Sequence, residues 1–226
     1  MSIIRIYIDI SFNLTTEENM KVLILFEYSG EMRKAFTVCG HDVTSIDLRE
    51  GENMQYGKHI VCDAYDYVDK NAHNFDLLIA HPVCQYLSNA GVSWLYRKEG
   101  RWELMRQAAL QFKKLQQLNI KYIAIENPVM HGHAKKLIDS WDFCSVQPWQ
   151  FGHLEKKRTC FWLKNLPALK PETNLLNETN KLPKKIQQRI HYMAPSADRE
   201  KERSRTFPGI AKAVAEQWSH YIAKDI

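Results

Sequence analysis

The chain has 226 residues, 45% hydrophobic and 25% charged, a size that fits one α/β domain with a real core and leaves too little for two large ones. A formal charge of +5 suits a polyanionic partner without demanding one, and five scattered cysteines with no C-x-x-C pair speak against a disulfide framework or a zinc ribbon. No apolar run reaches the roughly 20 residues of a membrane span, so a soluble protein with reduced thiols in a cytosol is the expectation.

The opening "MSIIRIYIDI" is apolar but holds Arg5 and Asp9 and has no small-residue cleavage site. Residues 1–19 read as an N-terminal extension and residues 20–226 as a single domain, with Met20 a second candidate start. Buried strands are expected at "KVLILF" (21–26), "DVTSIDL" (42–48), "FDLLIAH" (75–81), "YIAIENP" (122–128) and "RTCFWLKN" (158–165), with a further apolar stretch before Asp63. Unbroken apolar runs mark strands covered on both faces, and their alternation with helices predicts a mainly parallel sheet. Trp102, Met105, Ala109, Phe112 and Leu115 recur at helical spacing and predict a helix whose aromatic stripe is core. A second helix is expected from about Gly209 to Ile222, entered through Pro208. Between them, the stretch from Pro167 to Arg189 holds three prolines among polar residues and reads as a long loop or small excursion.

Ligands of open parallel sheets bind beyond the carboxyl ends of the strands, so the residues just after each apolar run are the candidates. "FEYSGEMRKAF" brings Phe26, Ser29 and Gly30 to a strand-to-helix turn, where the next helix could offer its N-terminal amides. Asp47 could hold ribose hydroxyls and Asp63 an amino group, although a carboxylate that caps a helix reads the same way. "HPVCQ" delivers Pro82, Cys84 and Gln85, and "ENP" delivers Glu126 and Asn127. Cys84 alone reads as core; together with a strand that ends in a carboxylate and an amide it reads as a nucleophile beside an acid. Arg158 could point a fixed cation into the same cleft, with Lys156 and Lys157 nearer solvent. His131 and His133 look like a metal pair but lack a third ligand, so no metal site is expected. His153 is expected to cap a turn or face DNA.

The order of these motifs resembles the DNA cytosine C5-methyltransferases, in particular the short stand-alone versions of phages and prophages, over about Lys21 to Trp218. The resemblance implies a Rossmann-like S-adenosylmethionine-dependent methyltransferase fold, a mainly parallel sheet with helices on both faces, working in the cytoplasm of a bacterial host if phage-encoded. It implies that Phe26, Ser29, Gly30, Asp47, Asp63 and Pro82 bind S-adenosylmethionine. Cys84 would then add to C6 of cytosine, with Gln85 beside it. Glu126 and Asn127, and Arg158 before an apolar strand, would complete the site on a DNA substrate, and "RSRTFPGIAKAVAEQW" would be the closing segment.

Departures from the family pattern stand at Val83, where the family has proline before its cysteine, in the glycine-poor first turn, and in the short 167–189 segment that stands for a target-recognition region. The last leaves room for relaxed specificity, a very short site, a single-stranded substrate, or a partner protein or homodimer that supplies recognition. Two other readings stay open: a catalytically impaired binder of cofactor and DNA, and C5 chemistry on a free nucleotide or RNA, with an altered donor a further option.

Overall fold

The computed structural model describes residues 19–225, so the N-terminal extension lies outside the described residues except for Asn19. Among the described residues, seven strands form one sheet: β1 (Lys21–Leu25), β2 (Asp42–Asp47), β3 (Lys58–Val61), β4 (Leu77–Ala80), β5 (Tyr122–Asn127), β6 (Phe143–Val146) and β7 (Thr159–Lys164). Their order is β3-β2-β1-β4-β5-β7-β6. Neighbours from β3 to β5 are parallel, and β7 runs antiparallel to both β5 and β6. After β1 the chain moves to one side, then returns to lay β4 and β5 on the other, which opens a crevice at the C-terminal ends of β1 and β4. This is the mainly parallel sheet that the sequence pattern predicts, in the Rossmann-like arrangement that the resemblance implies.

The helices are α1 (Glu31–Val38), α2 (Ala64–Asn71), α3 (Arg101–Gln116), α4 (Gly132–Lys135), α5 (Leu176–Lys181), α6 (Lys184–Gln187), α7 (Arg189–Tyr192), α8 (Ala197–Ser204) and α9 (Pro208–Ile222). They cover both faces because successive strand side chains point to opposite sides. Val22 and Ile24 of β1 join Met32 and Phe36 of α1 and Val214 and Trp218 of α9 in one cluster. Leu23 and Leu25 join Val68 of α2 and Ala109, Phe112 and Leu115 of α3 in the other. The helical stripe around Phe112 is therefore core, as its spacing predicts. His41 Nε2 and Ser219 Oγ, 2.6 Å apart, tie the turn after α1 to α9.

The Pro167–Arg189 stretch carries α5 and α6 and reaches α7 at its end, where the prolines suggest a loop. Contacts far apart in sequence order it. Lys156 Nζ donates to Asn180 Oδ1 at 2.6 Å and to Gln187 Oε1 at 2.7 Å, and the Lys156 amide donates to the Gln187 carbonyl at 2.6 Å. Among the described residues, no helix is long and apolar enough to cross a membrane.

Candidate active site

At the end of β1, Phe26 takes a φ of +61°, a backbone conformation uncommon for a residue with a side chain. Its amide donates to the Ile46 carbonyl at 2.8 Å, which fixes the turn against β2, and its ring lies 5.2 Å from that of Tyr65. Asp47 closes β2, and its Oδ1 accepts from the Arg49 amide at 2.9 Å. Asp63 caps α2, its Oδ1 accepting from the amides of Tyr65 at 2.8 Å and Asp66 at 3.0 Å. Of the two readings open for Asp63, helix capping is therefore present. Pro82 is buried beside this edge.

The amides of α1 do not point at open space. Glu27 occupies them, with Oε1 accepting from the Met32 amide at 2.7 Å and Oε2 from that of Arg33 at 3.4 Å, while Ser29 Oγ donates to Oε1 at 3.4 Å. The expectation that this helix offers its N-terminus to a ligand is thus corrected: a buried carboxylate of the chain already complements the helix dipole there. Burial raises the Glu27 pKa, against the opposing pull of His81 and Arg33. Gly30, at φ +71°, is also covered, since a Cβ there would come within 2.6 Å of the Glu52 carbonyl oxygen. The 52–56 loop is held in place by fully buried Arg33, whose Nε donates to the Tyr56 carbonyl at 2.7 Å and whose terminal nitrogens donate to Ser45 Oγ and the Glu52 carbonyl.

At the ends of β4 and β5 the second group of predicted residues converges. The His81 amide continues the ladder to the Leu25 carbonyl at 3.0 Å, and the Cys84 carbonyl accepts from the amides of Leu87 at 3.1 Å and Ser88 at 3.0 Å, which bends the chain tightly at Cys84. Cys84 is the exposed cysteine of the five. The protein around its thiol nevertheless raises its pKa: desolvation first, then the Glu126 carboxylate, with Lys157 and Arg203 pulling the other way. His81 Nδ1 donates to Glu126 Oε2 at 3.3 Å.

Lys157 completes this field. Burial lowers its pKa, while Glu126 and Cys84 hold it up, and its Nζ donates to the carbonyls of Arg203 at 2.7 Å and Arg205 at 3.4 Å. A cavity of about 20 Å³, lined by His81, Glu126, Lys157, Phe161, Arg205 and Phe207 among others, lies against Glu126. It has room for about one water, so the closing segment leaves no space for a base.

Arg158, the cation that the sequence places in the cleft, is exposed and donates from Nε to Ser145 Oγ of β6 at 2.9 Å. Its predecessor Lys157 is the cation at the cavity, because neighbouring residues entering a strand point to opposite sides. Asn127 is fully buried, and both of its amide atoms lack partners among the described residues.

Two residues outside the predicted set hold the cysteine loop. His131 Nδ1 accepts from the Ala134 amide at 3.1 Å and its Nε2 donates to the Tyr86 carbonyl at 3.1 Å, while its own amide donates to the Leu87 carbonyl at 2.9 Å. The ring is thus a neutral staple between β5 and the cysteine loop, and burial lowers its pKa. Arg101 donates from Nη2 to the Gln85 carbonyl at 2.6 Å and stacks over Tyr86 at 4.3 Å. No sequence spacing marks either residue for this role, since the partners lie far away along the chain. His153 does cap a turn: its Nε2 accepts from the Gly209 amide at 3.0 Å. Among the described residues, no group of three His, Cys, Asp or Glu could hold a metal ion.

No family model matches the chain, and no curated protein matches it. Solved structures do. One is a DNA modification methyltransferase encoded within a prophage (E. coli), 19% identical with a TM-score of 0.44, the match covering 64% of this chain and 46% of that one. Others are the Entamoeba histolytica methyltransferase EhMeth, at 15% identity and TM-score 0.46 over 70% and 58% of the two chains, and the S. pombe Dnmt2 methyltransferase, at 19% and 0.39 over 80% and 62%. The chain thus spans between 46% and 62% of the length of these three. At such values the likeness extends to the fold and no further.

Proposed function

We propose that this chain is an S-adenosylmethionine-dependent methyltransferase that acts on C5 of cytosine in DNA. The observation that carries the reading is that Cys84 lies just beyond the end of β4 and Glu126 in the last residues of the adjacent parallel strand β5, where with Lys157 they act on one another's charge. A nucleophile, an acid and a cation are what C5 chemistry on a pyrimidine asks of a protein.

Cytosine C5 is a poor nucleophile. Adding the Cys84 thiolate to C6 forms an S–C6 bond and moves the C5–C6 π pair onto C5, which can then attack a methyl electrophile. The Glu126 carboxyl bonds N3 as charge gathers there, and Lys157 faces the charge that reaches O2, in place of the fixed cation that the sequence expects at Arg158. Loss of the C5 proton and elimination of the Cys84 sulfur restore the aromatic ring.

S-adenosylmethionine supplies the electrophilic methyl group. The residues that would hold it are Phe26, Asp47 and Asp63, with Ser29, Gly30 and Pro82 around them. An aromatic ring and two carboxylates with spare acceptor capacity suit a nucleoside's base, hydroxyls and amino group; the α1 amides, already bonded to Glu27, have no part in this set.

The test is to incubate the protein with S-adenosylmethionine and mixed-sequence DNA, digest to nucleosides and look by mass spectrometry for a methyl-sized gain on deoxycytidine. The gain is expected with the native chain and absent with Cys84→Ser. Cofactor binding without product would overturn the enzyme reading in favour of a binding protein. The raised thiol pKa and the closed cavity are the observations that favour that alternative.

A further inference from the structure

Next to the cysteine loop lies a second, open recess of about 320 Å³, lined by Gln85, Ser88, Ala90, Gly91, Trp94, Lys98, Arg101 and Arg203. Its lining holds three cations and no carboxylate. Arg203 also lowers the Cys84 thiol pKa, and Gln85 follows Cys84 directly, so the recess adjoins the nucleophile. The Arg101 Nε is buried and has no acceptor among the described residues, although the same guanidinium is held in place by the Gln85 carbonyl and the Tyr86 ring. A fixed guanidinium with an unmet donor, beside two further cations, is built for an anion with several oxygens.

The recess also has an aromatic platform. Trp94 sits on the 3-10 turn Asn89–Leu95, whose Leu95 is buried at 3% exposure while Trp94 stays 51% exposed. Gly91 allows this turn to press on the cysteine loop, since a Cβ there would fall within 2.6 Å of the Gln85 carbonyl oxygen. The turn is therefore anchored, and it carries the indole with much of its surface uncovered. Sites for single small ligands span roughly 300–1,000 Å³, so the recess has room for about one nucleotide and none for a duplex.

We propose that this recess takes the nucleotide that flanks the target base in an unpaired strand, its base stacked on Trp94 and its phosphate among Lys98, Arg101 and Arg203. The inference rests on the reading of Cys84 as the nucleophile toward a base, and it specifies the form of the substrate. In a duplex the flanking base stays paired with its complement, so it cannot leave the helix to enter a recess with room for one nucleotide. A single strand presents a free face at each nucleotide, and aromatic stacking with a cationic track is how proteins hold such strands.

The test measures binding, not turnover. Fluorescein-labelled octanucleotides containing cytosine are titrated by anisotropy into full-length Cys84→Ser protein without cofactor, as single-stranded DNA, duplex DNA and single-stranded RNA. Single strands are expected to bind more tightly than the duplex. Trp94→Ala should weaken single-strand binding roughly 5- to 150-fold, with Trp94→Phe retaining most of it. Lys98→Ala should lower the slope of log affinity against log salt by about 0.7. Both positions are exposed, and circular dichroism checks that the variants fold. Tighter duplex binding, or affinity for single strands that is indifferent to Trp94, overturns the proposal. Trp94-dependent binding without methyl transfer by the native chain leaves it standing and defeats the enzyme reading, while preference for the RNA strand leaves it standing and removes DNA as the substrate.

Discussion

At Cys84 the protein holds the resting thiol protonated. Desolvation and Glu126 raise its pKa, while Lys157 and Arg203 oppose them. Since the thiolate is the reacting form, Glu126→Gln is expected to speed alkylation of Cys84 by iodoacetamide at about pH 8, and Lys157→Met to slow it. Mass spectrometry of the Cys84 peptide reads the rates, and equal rates in the two variants would sink the coupling. His131 makes a prediction of the opposite chemical sense. Its folded-state pKa lies below the ordinary value of 6.5, so its contribution to stability is complete above about pH 6.5 and is lost as pH falls through the folded value. His131→Asn keeps a helix cap but leaves the Tyr86 carbonyl unpaired, at a cost of about 1–3 kcal/mol. The melting temperature of the native chain should fall more steeply than the variant's between about pH 7.5 and 5.5.

At the level of elements, burial decides which parts the amino-acid pattern reveals. The strands β1, β4 and β5 lie inside the sheet with nearly every residue buried, so each reads as an unbroken apolar run. β6 does not, because it is an edge strand of four residues with three of them at least partly exposed. α3 is legible because a whole face repeats at helical spacing, and Phe112 at its centre lies edge-on to Trp162 at 5.4 Å. Phe112→Ala is expected to cost about 3–5 kcal/mol, read as a lower denaturation midpoint with an unchanged slope. The short helices α5 and α6 follow no pattern of their own, since Lys156 holds them from a distance through Asn180 of α5 and Gln187 of α6. The site divides in the same way. Cys84 and Glu126 are legible because strand ends are where ligands meet an open sheet. Lys157 is not, because its direction depends on the register by which β7 meets β5. The occupation of the α1 amides is hidden too, because it turns on which way the Glu27 carboxylate folds back.

Across the whole molecule, α8 and the segment after it bridge the two halves of the crevice. Glu52 pairs with Lys201 and with Arg205, each at 2.7 Å, and the Tyr28 hydroxyl donates to the Lys201 carbonyl. The hydrogen bond from Lys201 and then those from Arg205 hold the Glu52 carboxyl below its usual pKa despite some desolvation. This clasp is therefore present above about pH 4.5 and lost as pH falls through the folded value. The same segment lines the cavity at Glu126, so on the proposed reading a base enters only when it opens. Glu52→Gln should speed tryptic cleavage after Lys201 and Arg203 without changing the far-ultraviolet dichroism. Cleavage at the native rate would show that the clasp does not hold the segment.

The packing of α9 on α1 also bears on how the polypeptide is made. Leu23 and Leu25 find their partners in α2 and α3 early in synthesis, whereas Val22, Ile24, Met32 and Phe36 wait for Val214 and Trp218. A nascent chain on the ribosome therefore carries one side of the sheet under α2 and α3 and the other under α1 alone until residues 208–222 emerge, a stretch of time in which a chaperone has an apolar surface to hold.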